Sequence, residues 1–77
     1  MSGFHKVVWD ERKQVDCLDG RPLKTGDRVV VRWGDGSSTS HQAFVDVNGG
    51  AYVVVTYRGV ELDVFLLDND LSVARDE

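Results

Sequence analysis

Residues 23–36, LKTGDRVVVRWGDG, set a short alternating run between two turn signals. Gly26-Asp27 opens the run and Gly34-Asp35-Gly36 closes it, and residues of these types accept the backbone angles of tight turns. Side chains of an extended backbone point alternately to opposite faces. Val29, Val31 and Trp33 therefore share one face, expected to point inward, and Arg28, Val30 and Arg32 share the other. A strand so short and so sharply bounded fits a small sheet whose strands are joined by tight turns.

The period of two recurs downstream. Residues 41–47 set His41, Ala43, Val45 and Val47 against Gln42, Phe44 and Asp46, and Asn48-Gly49-Gly50 then supplies the clearest hairpin signal in the chain. Residues 51–58, AYVVVTYR, are apolar on both faces, as a central strand is. After the Arg58-Gly59 turn, residues 60–67 set Val60, Leu62, Val64 and Leu66 against Glu61, Asp63, Phe65 and Leu67. Asp68-Asn69-Asp70 reads as a turn or a single 3₁₀ turn before a closing strand over 71–74, and residues 34–39 read as a polar loop.

Upstream, residues 4–9 (FHKVVW) predict either an edge strand that closes the sheet or an arm laid on another subunit. Residues 10–14 (DERKQ) form a charged connector too short for a stable lone helix. Residues 15–23 contain the Asp19-Gly20 turn and Pro22, which a strand interior does not tolerate, so they predict a hairpin or hooked loop. These assignments describe an all-β chain: a small five-stranded SH3-like antiparallel barrel over residues 23–75, preceded over 1–22 by an N-terminal strand and hooked loop. With 77 residues it is one domain, and at that size nearly every apolar strand face is needed for the core.

Composition limits the chemistry. The formal net charge of −4 opposes the broad positive field of non-specific nucleic-acid binding. Cys17 is the single cysteine, which leaves no intrachain disulfide and no cysteine-based metal site. Together with an N-terminal apolar run too short, and with the wrong flanks, for a signal peptide, this predicts a cytoplasmic protein. His5 and His41 belong to no nucleophile or metal spacing. Cys17 has no neighbouring cation to lower its pKa and reads as a small buried residue. Asp68 and Asp70 lack the glycine and distal glutamate of a calcium loop, and Ser37, Ser38 and Ser40 have no base at a usable offset. The expectation is no enzyme, no metal and no cofactor.

The segments GDRVVVRWGDG, AFVDV and AYVVVTYRGVELDVFLLDNDLSV resemble the Tudor-like branch of the SH3-like barrels over residues 24–74. That resemblance implies an aromatic cage for a methylated cation, in which ring faces attract positive charge. Trp33 takes the place of a cage tryptophan and Tyr57 that of the aromatic ending the third strand. The cage is partial, since His41 is the only ring-bearing residue over 37–41, and Phe65 stands one residue beyond the fourth cage position. The opening DCLDGRPLKTGDRVVV is similar to the hook-turn-strand start of small bacterial and phage barrels. A plasmid-type dihydrofolate reductase uses a barrel of similar size, but its Val-Gln-Ile-Tyr motif is absent.

The sequence therefore predicts an interaction module for a peptide, a protein partner or a second copy of itself. The expected site is Trp33, Tyr57 and Phe65, with Asp35 and Asp63 available to a cationic group. Phe4, Val7, Val8, Trp9, Phe44 and Phe65 are more apolar bulk than one small core is expected to hold, and they predict either self-association or a cover over the open ends of the barrel. The alternative is a nucleic-acid accessory module using Lys24, Arg28 and Arg32. Against it, Asp27, Asp35, Glu61 and Asp63 are interleaved with those cations, and cross-strand charge pairing is the simpler expectation.

Overall fold

The computed structural model describes residues 3–76, and these form ten strands and no helix. In chain order they are β1 (His5–Lys6), β2 (Val8–Asp10), β3 (Val15–Leu18), β4 (Arg21–Pro22), β5 (Arg28–Arg32), β6 (Ser38–Gln42), β7 (Phe44–Val45), β8 (Ala51–Tyr57), β9 (Val60–Phe65) and β10 (Ser72–Arg75). They pair into three antiparallel sheets, ordered β1-β10-β5-β6, β2-β3-β4 and β7-β8-β9. Among the described residues no helix is long and apolar enough to cross a membrane.

β5 runs through the middle of the first sheet, and its start is set by local chemistry. Asp27 Oδ2 accepts the Lys24 N–H at 2.9 Å and the Asp27 N–H donates to the Lys24 carbonyl at 3.0 Å. Gly26 turns the chain at φ 103°, a conformation a Cβ disfavours. From there Val29 and Val31 point into the core and Arg28 and Arg32 point out, as the alternation predicts.

β6 and β7 are one bent path. At Ala43 the ladder breaks, yet the Ala43 N–H donates to the Asp27 carbonyl at 2.8 Å and its carbonyl accepts the Gly26 N–H at 2.9 Å. The chain thereby leaves the first sheet and enters the third, with the small Ala43 side chain fully buried at the corner. All three sheets contribute to one core of Val7, Leu18, Leu23, Val29, Val31, Ala43, Ala51, Val53, Leu66 and Val73.

Several segments differ from the sequence expectation. Residues 4–9 are not one strand: buried Val7 separates β1, paired with β10, from β2, paired with β3. The segment is thus laid on its own chain. Ser38 and Thr39 belong to β6 rather than to a loop, because the turn is shorter, closed by the Trp33 N–H to the Ser37 carbonyl at 2.8 Å. Val47 does not share the inner face of Ala43 and Val45. β7 ends at Val45, and the Asp46 carboxylate, accepting the Asn48 and Gly50 N–H groups, curls the loop so that Val47 is 101% exposed. Other features match: the β3–β4 hairpin turns at Asp19 (φ 55°) and Gly20 (φ 76°), β8 is central in its sheet, and Cys17 is buried.

Candidate functional site

Beyond Tyr52, β8 has β9 as its ladder partner along one edge only, since β7 pairs no further than Ala51 and Tyr52. β6 is likewise the edge of the first sheet. Between these two strands lies a mainly apolar groove of about 420 Å³, lined by Trp33, Thr39, His41 and residues 54–57 of β8. Its two walls therefore carry strand edges whose backbone groups are free of a neighbouring ladder among the described residues.

The ring wall of the groove is held by a relay. The Trp33 indole Nε1–H donates to Thr39 Oγ1 at 2.6 Å, and Thr39 Oγ1 lies 2.6 Å from His41 Nε2. With the indole as donor only, the single hydroxyl proton of Thr39 has His41 Nε2 as its acceptor, which assigns the His41 proton to Nδ1. Burial, with a smaller effect from the Arg28 charge, pushes the His41 pKa below its ordinary value. A neutral imidazole keeps this relay intact. The Trp33 and His41 rings meet edge to face at 6.0 Å and 83°, an arrangement favoured by the ring quadrupole.

The structure brings two of the five expected site residues to this groove. Trp33 and Tyr57 line it, and Tyr57 is 59% exposed with the Arg58 guanidinium 5.3 Å from its ring centre. Phe65 lies elsewhere: it packs on Tyr52 at 5.0 Å, and Tyr52 stacks on Phe44 at 5.6 Å. Asp35 shapes its own loop by accepting the Ser37 N–H and hydroxyl, and these bonds hold its carboxyl below the usual range. Asp63 is exposed on β9 opposite Val54 and does not line the groove.

Of the three basic residues, Lys24 and Arg28 lie around Asp27 with Arg21 and Arg75, and Arg32 lies elsewhere. Lys24 is exposed beside the Asp27 turn, Arg28 neighbours Arg75 and Asp76, and the Arg32 guanidinium sits 4.1 Å from the centre of the Phe4 ring. Asp27 pairs with Arg75 at 3.2 Å.

Thr39, His41, Val54, Val55 and Thr56 are the groove residues that the sequence did not single out. Had strand β6 been extended back to Ser38, residues 39 and 41 would have fallen on one face opposite Val31 and Val29, the face that leads to Trp33. Among the described residues no group of histidine, cysteine or carboxylate side chains is arranged to hold a metal. Comparison of the chain with family models, curated proteins and solved structures gives no match.

Proposed function

We propose that this protein is a non-enzymatic interaction module that takes an extended peptide segment of a partner into the groove between β6 and β8. The observation that carries the reading is the pairing of two open strand edges with a floor of aromatic and β-branched side chains. An added strand gains main-chain hydrogen bonds from an exposed edge, while pockets for its alternate side chains supply selectivity. Trp33 and Tyr57 are large, apolar and edged with polar atoms, the residue types that anchor interfaces. In the same reading the chain is an SH3-like barrel: the strand order β10-β5-β6/β7-β8-β9, with a bent second strand and a tight turn before the last, supports that arrangement. Trp33 and Tyr57 are the two members of a partial aromatic cage.

A selection from a display library of 12-residue peptides tests the reading. Peptides selected on the protein should lose at least tenfold in affinity for Trp33→Ala and for Tyr57→Ala. Binders indifferent to both substitutions, or no binders at all, count against it.

Self-association is the second reading. On the β8–β9 hairpin Tyr57, Val60 and Leu62 are 59%, 56% and 43% exposed, and the pairings Tyr57↔Val60 and Val55↔Leu62 put them on one face. A second copy would cover that strip. Sedimentation equilibrium across a hundredfold range of concentration separates the readings, since a monomer throughout leaves only the peptide partner. Use of Lys24, Arg28 and Arg32 on nucleic acid has the weaker support, because Arg32 already rests on Phe4 and the carboxylate of Asp27 adjoins Lys24.

A further inference from the structure

A second concavity, of about 310 Å³, has a different chemistry from the groove. Its walls are the rings of Trp9 and Phe65 and the carboxyl groups of Asp16, Asp46 and Asp68, with Asn48 beside them. Neither lysine nor arginine lines it among the described residues.

Asp16 is the unusual member. It is 3% exposed; its Oδ2 accepts the Ala51 N–H at 2.9 Å, while its Oδ1 is shut off from solvent and has no hydrogen-bond partner. A buried carboxylate oxygen left so is costly unless the charge is compensated. Burial pushes the Asp16 carboxyl up, the Ala51 N–H opposes this, and the charges of Asp68 and then Asp46 add to the rise. The charges of Asp68 and Asp46 thus both bear on buried Asp16, and a positive group placed in the pocket offsets them.

We propose that this pocket binds an organic cation bearing N–H donors, a guanidinium or primary ammonium on an aliphatic stem. The carboxylates supply charge, with half-buried Asp46 and exposed Asp68 as acceptors, and the aromatic side chains of Trp9 and Phe65 in the lining add attraction for the cation. The stem packs against Phe65 and Leu67, as long cationic side chains do on apolar surface. A metal ion is the wrong occupant, since the three carboxyl groups do not form a metal-holding group. A quaternary ammonium is also the poorer fit, having no donor for the carboxylate oxygens. The site is separate from the β6–β8 groove, with which it shares no lining residue.

The test is a ¹H–¹⁵N NMR titration of the full chain with agmatine, with N-acetyl-arginine amide and with tetramethylammonium. Saturable shifts are expected at the Trp9 indole, the Asn48 side-chain amide and Gly50, with the Trp33 indole unmoved. Response to agmatine alone identifies a free small cation as the occupant, and response to both guanidinium probes admits an arginine side chain of a partner. Asp68→Asn, a change at an exposed position that leaves the fold intact by its retained spectrum, should weaken binding at least threefold, as should 0.5 M salt. Three results overturn the proposal: no saturable shift with either guanidinium probe, equal affinity for tetramethylammonium, or affinity unchanged in Asp68→Asn.

Discussion

The indole Nε1 of Trp33 donates to Thr39 Oγ1 at 2.6 Å, across the turn that joins β5 to β6. This bond fixes which side of the indole faces the β6–β8 groove, because Thr39 is in register with Val31 on the neighbouring strand. Thr39→Val keeps the shape and removes the acceptor. A net loss below about 1 kcal/mol of stability is expected, as for a hydrogen bond that water can partly replace. The Trp33 indole resonance should shift markedly in the NMR spectrum while that of Trp9 stays in place, and groove-selected peptides should bind more weakly.

The half-buried His41 and the buried Asp16 give opposite pH slopes. The folded-state pKa of His41 lies below 6.5, so the unfolded chain binds the proton more tightly. Its contribution to stability is complete above about 6.5 and falls as pH drops through the folded value. Asp16 has a folded pKa above 3.8, so the folded chain holds that proton more tightly. Its contribution is complete below 3.8 and is lost as pH rises through the raised value. Urea denaturation at a series of pH values should show the acid-side loss diminished in His41→Gln, and Asp16→Asn should be relatively more stable at neutral pH.

Gly49 closes the Asp46 loop against the start of β3. Its carbonyl accepts the Asp16 N–H at 2.9 Å, its φ is 87°, and a Cβ added there would collide with the Gln14 carbonyl and lie 3.0 Å from Val15 Cα. Both the backbone conformation and the space exclude a side chain. Gly49→Ala should cost about 2–4 kcal/mol, combining left-handed strain with overpacking. Gly59, with φ 79° and nothing near its Cβ position, should lose about 1 kcal/mol on the same change. Thermal denaturation of the pair checks the ranking.

Arg75 fastens the N-terminal hairpin to β10. Its side chain is 9% exposed, with Nη1 3.2 Å from Asp27 Oδ2 and Nη2 donating to the Arg21 carbonyl at 2.9 Å and the Leu18 carbonyl at 3.3 Å. Arg75→Met removes the charged donor, leaving Asp27 Oδ2 with the Lys24 N–H, and should cost about 2 kcal/mol, less than for a fully buried pair because Asp27 is partly solvated. Arg75→Lys should recover little, since a single ammonium does not reproduce the planar fork. Chemical denaturation of both variants measures the difference.

The sheet was legible where turn chemistry and alternation agreed. Asp19-Gly20, Gly26-Asp27 and Gly49 all sit at turns, and Val29, Val31, Ala51 and Val53 all point inward. It was illegible where tertiary contacts cut across the period. Val7 divides one apolar run into two strands that pair with different sheets, and the Asp46 side chain turns Val47 outward. Trp33 and Tyr57 could be selected as ring-bearing residues at strand ends. Phe65 could not be told from them, because its alternation leaves open which surface that face meets, and it meets Tyr52. The pocket around Asp16 was invisible in sequence, since Asp16, Asp46 and Asp68 are far apart in the chain and meet through tertiary contacts such as the Asp16 N–H to the Gly49 carbonyl and the Ala51 N–H to the Asp16 carboxylate.

Addition of a partner strand between β6 and β8 is read out residue by residue in amide hydrogen exchange. A peptide selected on the groove should protect, at least tenfold, those amides of residues 53–57 that point away from β9, together with alternate amides of residues 38–42. Saturating peptide that leaves these amides exchanging at the rates of the free protein would contradict it.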